Sequence, residues 1–265
     1  FRNEINPRHF IFRSREFEQM EMQFFVKPGS DMEWYDNWRD KRLKYYKELG
    51  IDPTKLRLQP HDKLAHYAAA AVDVEYEFPF GWGEIEGIHN RTDFDLSRHS
   101  EFSGKDLTYF DDETRERFTP YIVEVSSGVN RTLLAYLCDA YEVEELEKDS
   151  RTVLRLHPKL APIKAGIFPL VKRDGMPEKA HEVEKALKSH HRVFYDEGGA
   201  VGRRYRRQDE AGTPFCITVD SETLENNTVT IRDRDTMVQD RYEIDRIVEV
   251  INDKIATWER PVASS

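Results

Sequence analysis

A change of hydrophobic rhythm part-way along the chain limits its possible folds more than any other feature. From Ala161 on, short apolar runs alternate with amphipathic stretches: Ala161 to Val171, a helix-like segment Glu178 to His190, a strand-like Arg192 to Tyr195, a helix-like Val201 to Glu210, strand-like Pro214 to Val219 and Thr228 to Arg232, and a last helical stretch Ile244 to Trp258. Apolar runs bounded by turn residues read as buried strands, and helical periodicity reads as a helix with one packed face. Their alternation predicts a layered α/β domain of about 100 residues. The earlier part is less regular. Ser30-Asp31 precedes a helix predicted over Met32 to Leu49, where Trp34, Trp38, Leu43, Tyr46 and Leu49 form a core-facing stripe and Gly50 follows as a stop signal. A second helix is expected from His61 to Val74, then Phe78-Pro79-Phe80-Gly81-Trp82-Gly83 breaks the pattern. Glu84 to Leu96 alternates as a strand, and Tyr121 to Ser126 is a short apolar strand leading into a helix, Val129 to Tyr141. The acidic run Glu142 to Asp149 closes that helix, so a linker is expected at 148–157 between domains 1–150 and 158–265.

At 265 residues the chain can bury two separate cores. No apolar run approaches the ~20 residues that a membrane-spanning helix needs. The net charge of −10 argues against a polyanionic partner until its distribution is read. Residues 1–150 carry −11 and residues 151–265 carry +1, so the later half is the one expected to face a nucleic acid. There, Arg203, Arg204, Arg206 and Arg207 surround Tyr205 and could hold phosphates and stack a base. A solvated helix face is an equal reading of that cluster. Cys138 and Cys216 lie far apart in apolar stretches with no metal-ligand spacing, which predicts buried thiols in a reducing compartment such as the cytoplasm. His61, His66, His89, His99, His157, His181, His190 and His191 show no ligand spacing either and read as ordinary surface or core residues. Gly198-Gly199-Ala200-Val201-Gly202 lacks the Gly-Lys-Ser/Thr ending of a phosphate loop and reads as a turn before a helix.

Four charged blocks carry the chemistry. The chain opens on Arg2-Asn3-Glu4, and after a loop with Pro7 and Arg8 comes Phe12-Arg13-Ser14-Arg15-Glu16-Phe17-Glu18-Gln19-Met20-Glu21. Arginines offer forked donors to phosphate, and carboxylates accept from an amine, so the pair looks like a hairpin made to hold a nucleotide. The other blocks are Gly83-Glu84-Ile85-Glu86-Gly87-Ile88 with Asn90 to Leu96, Glu124-Val125-Ser126-Ser127-Gly128-Val129-Asn130-Arg131, and Tyr205 to Cys216. In the third block a tight turn before a helix would gather backbone donors and Arg131 at a positive helix start. Read singly, these blocks are equally a solvated edge strand, surface acids and a plain strand-to-helix junction. Because the sequence begins inside the hairpin without a Met, an upstream portion is expected to be missing.

Taken in order, the blocks resemble the class II aminoacyl-tRNA synthetases: the hairpin is similar to motif 2, Glu124 to Arg131 is similar to motif 3, and the hairpin's wording resembles the homodimeric glycyl-tRNA synthetases. The resemblance implies an antiparallel-sheet class II catalytic core, partial here, followed by a three-layer α/β anticodon-binding domain. It implies ATP-dependent attachment of glycine to tRNA(Gly) through a glycyl-adenylate, with Mg2+ and a homodimer in the complete protein. Arg2 and Arg131 would be catalytic: Arg2 on the α-phosphate and the attacking carboxylate, Arg131 on the γ-phosphate. Glu4 would meet the adenine amino group, Arg13 the outer phosphates, and Phe17 the adenine face. Asn3, Phe12, Ser14, Arg15, Glu16, Glu84, Ile85, Gly128, Val129 and Asn130 complete the ATP site that the resemblance implies. Glycine would meet Phe17, Glu18, Gln19, Met20, Glu21, Glu124, Val125, Ser126, Ser127 and Gly128. Glu84 and Glu124 would hold the metal, and Arg203, Arg206 and Arg207 the tRNA. The family usually has proline where this chain has Val125, which is expected to loosen the turn. A synthetase-like accessory or nucleic-acid-binding protein without catalysis is the alternative.

Overall fold

A computed structural model of the chain describes residues 6–146 and 149–261. Its contacts divide it into two compact units, Phe1–Asp139 and Ala140–Ser265, so the division falls before residue 150, where the charge and periodicity had placed it.

In the first unit the elements run β1 (Gln19–Val26), α1 (Asp31–Glu48), β2 (Leu56–Pro60), β3 (Ala70–Phe78), β4 (Gly81–Thr92), α2 (Phe94–Ser103), the two-residue strands β5 (Tyr109–Phe110) and β6 (Arg117–Phe118), β7 (Tyr121–Gly128) and α3 (Val129–Ala140). Five strands make a wholly antiparallel sheet in the order β1-β7-β4-β3-β2. The expected helix over 61–74 is absent. Its alanines favour a helix, but Val72, Val74, Tyr76 and Phe78 are buried while Asp73, Glu75 and Glu77 are not, and that period of two sets β3 into the sheet. Val72, Ile88 and Val125 stand side by side across β3, β4 and β7 and share the face that α1 covers. Tyr35 and Tyr46 of α1 are buried there, Phe24 packs on Trp34 and Trp38 at 4.7 and 5.4 Å, and Asn90 donates to Asp31 at the start of α1 (2.6 Å). The opposite face carries Glu21, Gln23, Asp73, His89, Glu124 and Ser126. An antiparallel sheet tolerates such a polar face.

The second unit opens with a hairpin, β8 (Tyr141–Glu145) and β9 (Ser150–Leu154), where a linker was expected. It is no spacer: Arg151 and Val153 are buried, and the acidic run supplies Glu142 and Glu144 as partners for Arg155 and Arg151. Then come β10 (Ala165–Pro169), α4 (Met176–Lys188), β11 (Val193–Tyr195), α5 (Val201–Ala211), β12 (Phe215–Val219), α6 (Ser221–Asn226), β13 (Thr228–Asp233), β14 (Gln239–Glu243) and α7 (Ile247–Ala256). The sheet order is β11-β10-β12-β13-β14, parallel over the first three strands and antiparallel over the rest. One face packs Ile167, Ile217 and Ile231 against Val183 and Leu187 of α4 and Ile251 of α7. On the other face α5 sets Tyr205 near Phe168 (5.8 Å) and bonds it to Thr218 (2.6 Å), making the three layers that the resemblance implies and the layered α/β domain that the alternation predicts. Cys216 is buried and Cys138 half-buried; both are free thiols, and burial raises the pKa of each. Among the described residues no helix is long and apolar enough to cross a membrane.

Candidate active site

Strand register builds the site. Gln19 pairs with Gly128 and Met20 with Ser127, so the start of β1 lies beside the end of β7. Val129 N donates to Glu18 O (2.9 Å), and Glu18 N donates to Asn130 Oδ1 (3.4 Å). No turn separates β7 from α3, which corrects the expected tight turn; Val125 is a buried strand residue opposite Met22 and Ile88, so its replacement of proline loosens no turn.

Ahead of β1, Arg8 and Arg13 exchange two backbone hydrogen bonds (3.0 and 3.2 Å) around a short 3-10 turn, Phe10–Phe12. Phe12 drops from this turn edge-on against Phe78 and Phe80 (5.2 and 5.1 Å). Gly83 makes the approach possible, because a Cβ there would lie 2.8 Å from the Phe12 ring. Arg131, in the first turn of α3, spreads its guanidinium 4.3 Å from the centre of that ring and donates to the carbonyls of Phe12 (2.9 Å) and Glu84 (3.1 Å), with Glu84 Oε2 3.5 Å away. Around this arginine lies a cleft of about 230 Å3, lined also by Arg13, Ser14, Phe17, Glu18, Gln19, Ser126, Gly128 and Asn130. Arg13 Nε is buried and meets no acceptor among the described residues. An unmet buried donor costs about 1–3 kcal/mol, so it is suited to an acceptor brought by a ligand.

Farther along the polar face, Glu124 accepts from Gln23 (2.5 Å) and from Arg91 Nη1 (3.1 and 3.2 Å), and His89 Nδ1 stands 3.5 Å from its Oε1. The His89 imidazole first, then Gln23 and Arg91, hold the Glu124 carboxyl down at about 2 against the opposing effect of burial. Arg91 is also forked onto Asp95 (2.7 and 3.2 Å), and Ser126 Oγ donates to Glu21 (3.4 Å). Beneath the sheet, fully buried Glu86 takes Arg42 in two bonds (2.5 and 2.9 Å) and the Tyr46 hydroxyl (2.6 Å). Tyr46 reaches Ser127 (3.4 Å), which bonds the Ile85 carbonyl (3.2 Å) and Thr132 (2.9 Å). This network fixes α1, β4, β7 and α3 to one another under the cleft, and desolvation together with Glu86 raises the Tyr46 pKa.

The residues expected at the site therefore divide. Arg2, Asn3 and Glu4 lie outside the described residues. Phe12, Arg13, Ser14, Phe17, Glu18, Gln19, Glu84, Ser126, Gly128, Asn130 and Arg131 line the cleft. Glu21 and Glu124 sit on the adjoining polar face. Arg15, Glu16 and Met20 are exposed and do not line the cleft. Ile85, Val125 and Ser127 have buried side chains and do not line it, and Val129, also outside the lining, gives its backbone N–H to the Glu18 carbonyl. The sequence reading missed Arg42, Glu86, Gln23, Arg91 and the convergence of His61, Asp73 and His89, because these meet through cross-strand register and helix packing rather than spacing along the chain.

In the second unit, Arg204 is buried and donates to the carbonyls of Pro169, Leu170 and Asp196 (2.7, 3.3 and 3.1 Å). Tyr205 turns inward to Thr218, with the Arg232 guanidinium 4.9 Å from its ring centre, so neither residue belongs to an outward-facing stacking cluster. Arg207 bonds Asp196 (2.5 Å) and the Gly198 carbonyl (2.9 Å), while Arg203 is exposed and Arg206 half-exposed.

Residues 1–140 match the family described as tRNA synthetase class II core domain (G, H, P, S and T), just over half of the chain. The chain belongs to the class II tRNA synthetases. Residues 164–254 of this synthetase chain match the family described as anticodon binding domain. It is 56% identical over 258 residues to a glycine–tRNA ligase of Clostridium tetani, covering 96% of this chain and 55% of that protein. A glycine–tRNA ligase of Treponema denticola is 51% identical over 268 residues, 98% of this chain and 59% of its own length. The chain thus spans a little over half the length of these relatives. A crystal structure of prolyl-tRNA synthetase from Cryptosporidium parvum, complexed with L-proline and AMP, superposes with a TM-score of 0.69 at 17% identity, over 96% of this chain and 53% of that one, and shows the shared fold.

Proposed function

We propose that this chain carries the ATP-binding core and the anticodon-binding domain of a glycine–tRNA ligase. The supporting observation is the cleft in which Arg131, Arg13 and Glu84 converge on a stretch that is more than half identical to a named glycine–tRNA ligase. In the first step a carboxylate oxygen of glycine attacks the α-phosphorus of ATP, the bond to the oxygen bridging the β-phosphorus breaks, and pyrophosphate leaves with the electron pair. In the second, a ribose hydroxyl at the end of tRNA(Gly) attacks the glycyl carbonyl and AMP leaves. Neither step needs a protein nucleophile, and catalysis consists of positioning and charge neutralisation.

In this reading Arg13 and Arg131 take the outer phosphates, Phe17 stacks on adenine, and Arg2 draws together the α-phosphate and the attacking carboxylate. The glycine ammonium is met by Glu21 and Ser126, with Glu124 beside them; Glu18, Gln19 and Met20 bring the chain from the cleft to that pocket. Glu84 fits a Mg2+ site, since its half-exposed carboxylate stands on the cleft and a hard cation takes oxygen ligands together with water. Mg2+ there would neutralise phosphate charge. Glu124 does not fit, because its oxygens already take Gln23 and Arg91. Recognition of tRNA(Gly) by the second unit, homodimer formation and a cytoplasmic location belong to the same proposal. The complete protein should exchange labelled pyrophosphate into ATP when given glycine and fail with alanine or serine. A folded protein that shows no glycine-dependent exchange would instead be a synthetase-like accessory protein.

A further inference from the structure

On the polar face of the first sheet, beyond Glu124, a ring nitrogen of His61, a carboxylate oxygen of Asp73 and a ring nitrogen of His89 all lie within 4.8 Å of one another. His61 Nε2 is 2.9 Å from Asp73 Oδ2, and the two imidazoles stand 5.7 Å apart, nearly perpendicular at 77°. The backbone sets this grouping. His61, immediately after β2, donates its N–H to the Ala71 carbonyl (3.2 Å), Ala71 pairs with His89 across β3 and β4, and Asp73 pairs with Gly87. Residues two apart on a strand point to the same face, so three adjacent segments present the three side chains together. Groups held on paired strands keep their geometry better than groups on loops.

Two small residues keep the space open. Ala71 contributes only a methyl between the two histidines. At Gly87 a Cβ would lie 2.7 Å from His89 Cε1 and 3.4 Å from Asp73 Oδ1, so any larger residue would push the imidazole away from Asp73. His89 has a further neighbour on the other side. Its Nδ1 is buried with no hydrogen-bond partner among the described residues and sits 3.5 Å from Glu124 Oε1. When one ring nitrogen of a histidine binds a cation, the other becomes a fixed N–H donor, and a carboxylate beside it is the usual acceptor.

We propose that His61, Asp73 and His89 bind a borderline divalent cation of the Zn2+ class, with Glu124 as the outer carboxylate behind His89. Two imidazoles and one carboxylate suit Zn2+ or Co2+ and disfavour Mg2+, which prefers oxygen ligands. Metal–ligand bonds of about 2.0–2.2 Å place the ligating atoms of a tetrahedral site roughly 3.3–3.6 Å apart, a contraction that side-chain rotation supplies. Three protein ligands leave a coordination position for water or for a further ligand. The site is separate from Glu84 and the proposed Mg2+, and it stands whether or not the protein is a glycine–tRNA ligase.

The test uses the untagged complete protein after dialysis against a chelator, titrated with Zn2+ in competition with a chromophoric chelator and then loaded with Co2+. One tight Zn2+ per chain is expected, unaffected by millimolar Mg2+, together with the visible absorption of a low-coordinate Co2+ centre. His61→Gln and His89→Gln should each weaken Zn2+ binding by more than the ~10–100-fold expected for the outer-shell Glu124→Gln. Circular dichroism checks that each variant is folded, and the Co2+ spectrum of the unmutated protein decides the matter if a variant is not. An octahedral, water-like Co2+ spectrum, displacement of Zn2+ by Mg2+, or undiminished Zn2+ affinity in folded His89→Gln would each overturn the site.

Discussion

The arginines at the cleft of the first unit and those inside the second are used in opposite ways. In the first unit the sheet has one face under α1 and a polar one opposite, and Arg13 and Arg131 stand at a cleft, where a buried donor on Arg13 meets no acceptor among the described residues. In the second unit β10 and β12 are buried at every position between layers of helix, and Arg151, Arg204 and Arg234 are almost completely enclosed. There the guanidinium groups bind the protein itself: Arg151 and Arg232 share buried Asp209 (3.1 Å, and 2.8 and 3.0 Å), and Arg234 holds the Gly212 carbonyl (2.9 Å). An arginine-rich stretch is thus no guide to a ligand until the number of layers around it is known.

The largest effect should come from breaking the internal use. Arg151→Ala leaves Asp209 buried with one of its cations gone, and removing one partner of a buried pair costs about 3–5 kcal/mol. Urea unfolding of residues 140–265 should show that loss. The same segment should unfold cooperatively, while residues 158–265, which lack β9 and hence Arg151, should be weakened by a similar amount. Equal stability of the two segments would make the β8–β9 hairpin the linker that the acidic run suggested, and the contrast between the units would shrink.

The use at the cleft breaks differently. Arg131→Ala in the complete protein should lower glycine-dependent pyrophosphate exchange by about 10²–10³-fold, the effect of removing one preorganised donor. Its cost to stability should stay near 1 kcal/mol or below, as for surface substitutions. A fall in melting temperature matching the loss of activity would show that Arg131 is chiefly a brace between Phe12 and Glu84.

How far the sequence could be read differs between the units for a physical reason. In the second, β10 and β12 are short, apolar and bounded, so Phe215–Val219 and the neighbouring Thr228–Asp233 are visible from local pattern, whereas the polar β8 and β14 carry no such signal and were not expected as strands. In the first, the Ala68 to Ala71 run carries helix propensity into what becomes β3, and only the sheet's period of two overrides it. The blocks that line the cleft were legible as blocks because their residues are contiguous. The Glu86–Arg42–Tyr46 network was not, since Glu86 lies 44 and 40 positions from Arg42 and Tyr46 and nothing local marks it as buried. The outward reading of Arg204 and Tyr205 failed because charge and aromaticity do not say which way α5 faces.

Acid should separate the two units. His157 is buried, and burial foremost, then Lys159, Lys164 and Arg234, lower its pKa from 6.5 to about 4. Above pH 6.5 it is neutral in both states and costs nothing; between 6.5 and about 4 the unfolded chain gains a proton that the folded one refuses, so stability falls by at most ~1.4 kcal/mol per pH unit. Glu124 behaves otherwise: its stabilisation of the first unit is complete above pH 4.5 and is lost only as the pH drops toward about 2. Between pH 6 and 5 the second unit alone should weaken. Trp258, whose ring lies 4.6 Å from His157, reports on it by fluorescence in residues 140–265, and His157→Gln should flatten the profile. A flat profile in the unmutated segment would mean that His157 titrates normally.

The smallest effect concerns the few arginines of the second unit that do face outward. If this unit meets tRNA through phosphates, each such cation should contribute about one unit to the slope of log affinity against log salt. Arg203 is exposed, so Arg203→Gln should lower that slope by nearly one and leave pyrophosphate exchange unchanged. Arg207 is already neutralised by Asp196 and tied to the Gly198 carbonyl, so Arg207→Gln should change the slope less and instead loosen the turn before α5. Measuring tRNA binding at several salt concentrations for both variants separates a cation that serves the ligand from one that serves the fold. Equal slopes for the two would show that ion pairing within this unit does not decide which arginines reach the RNA.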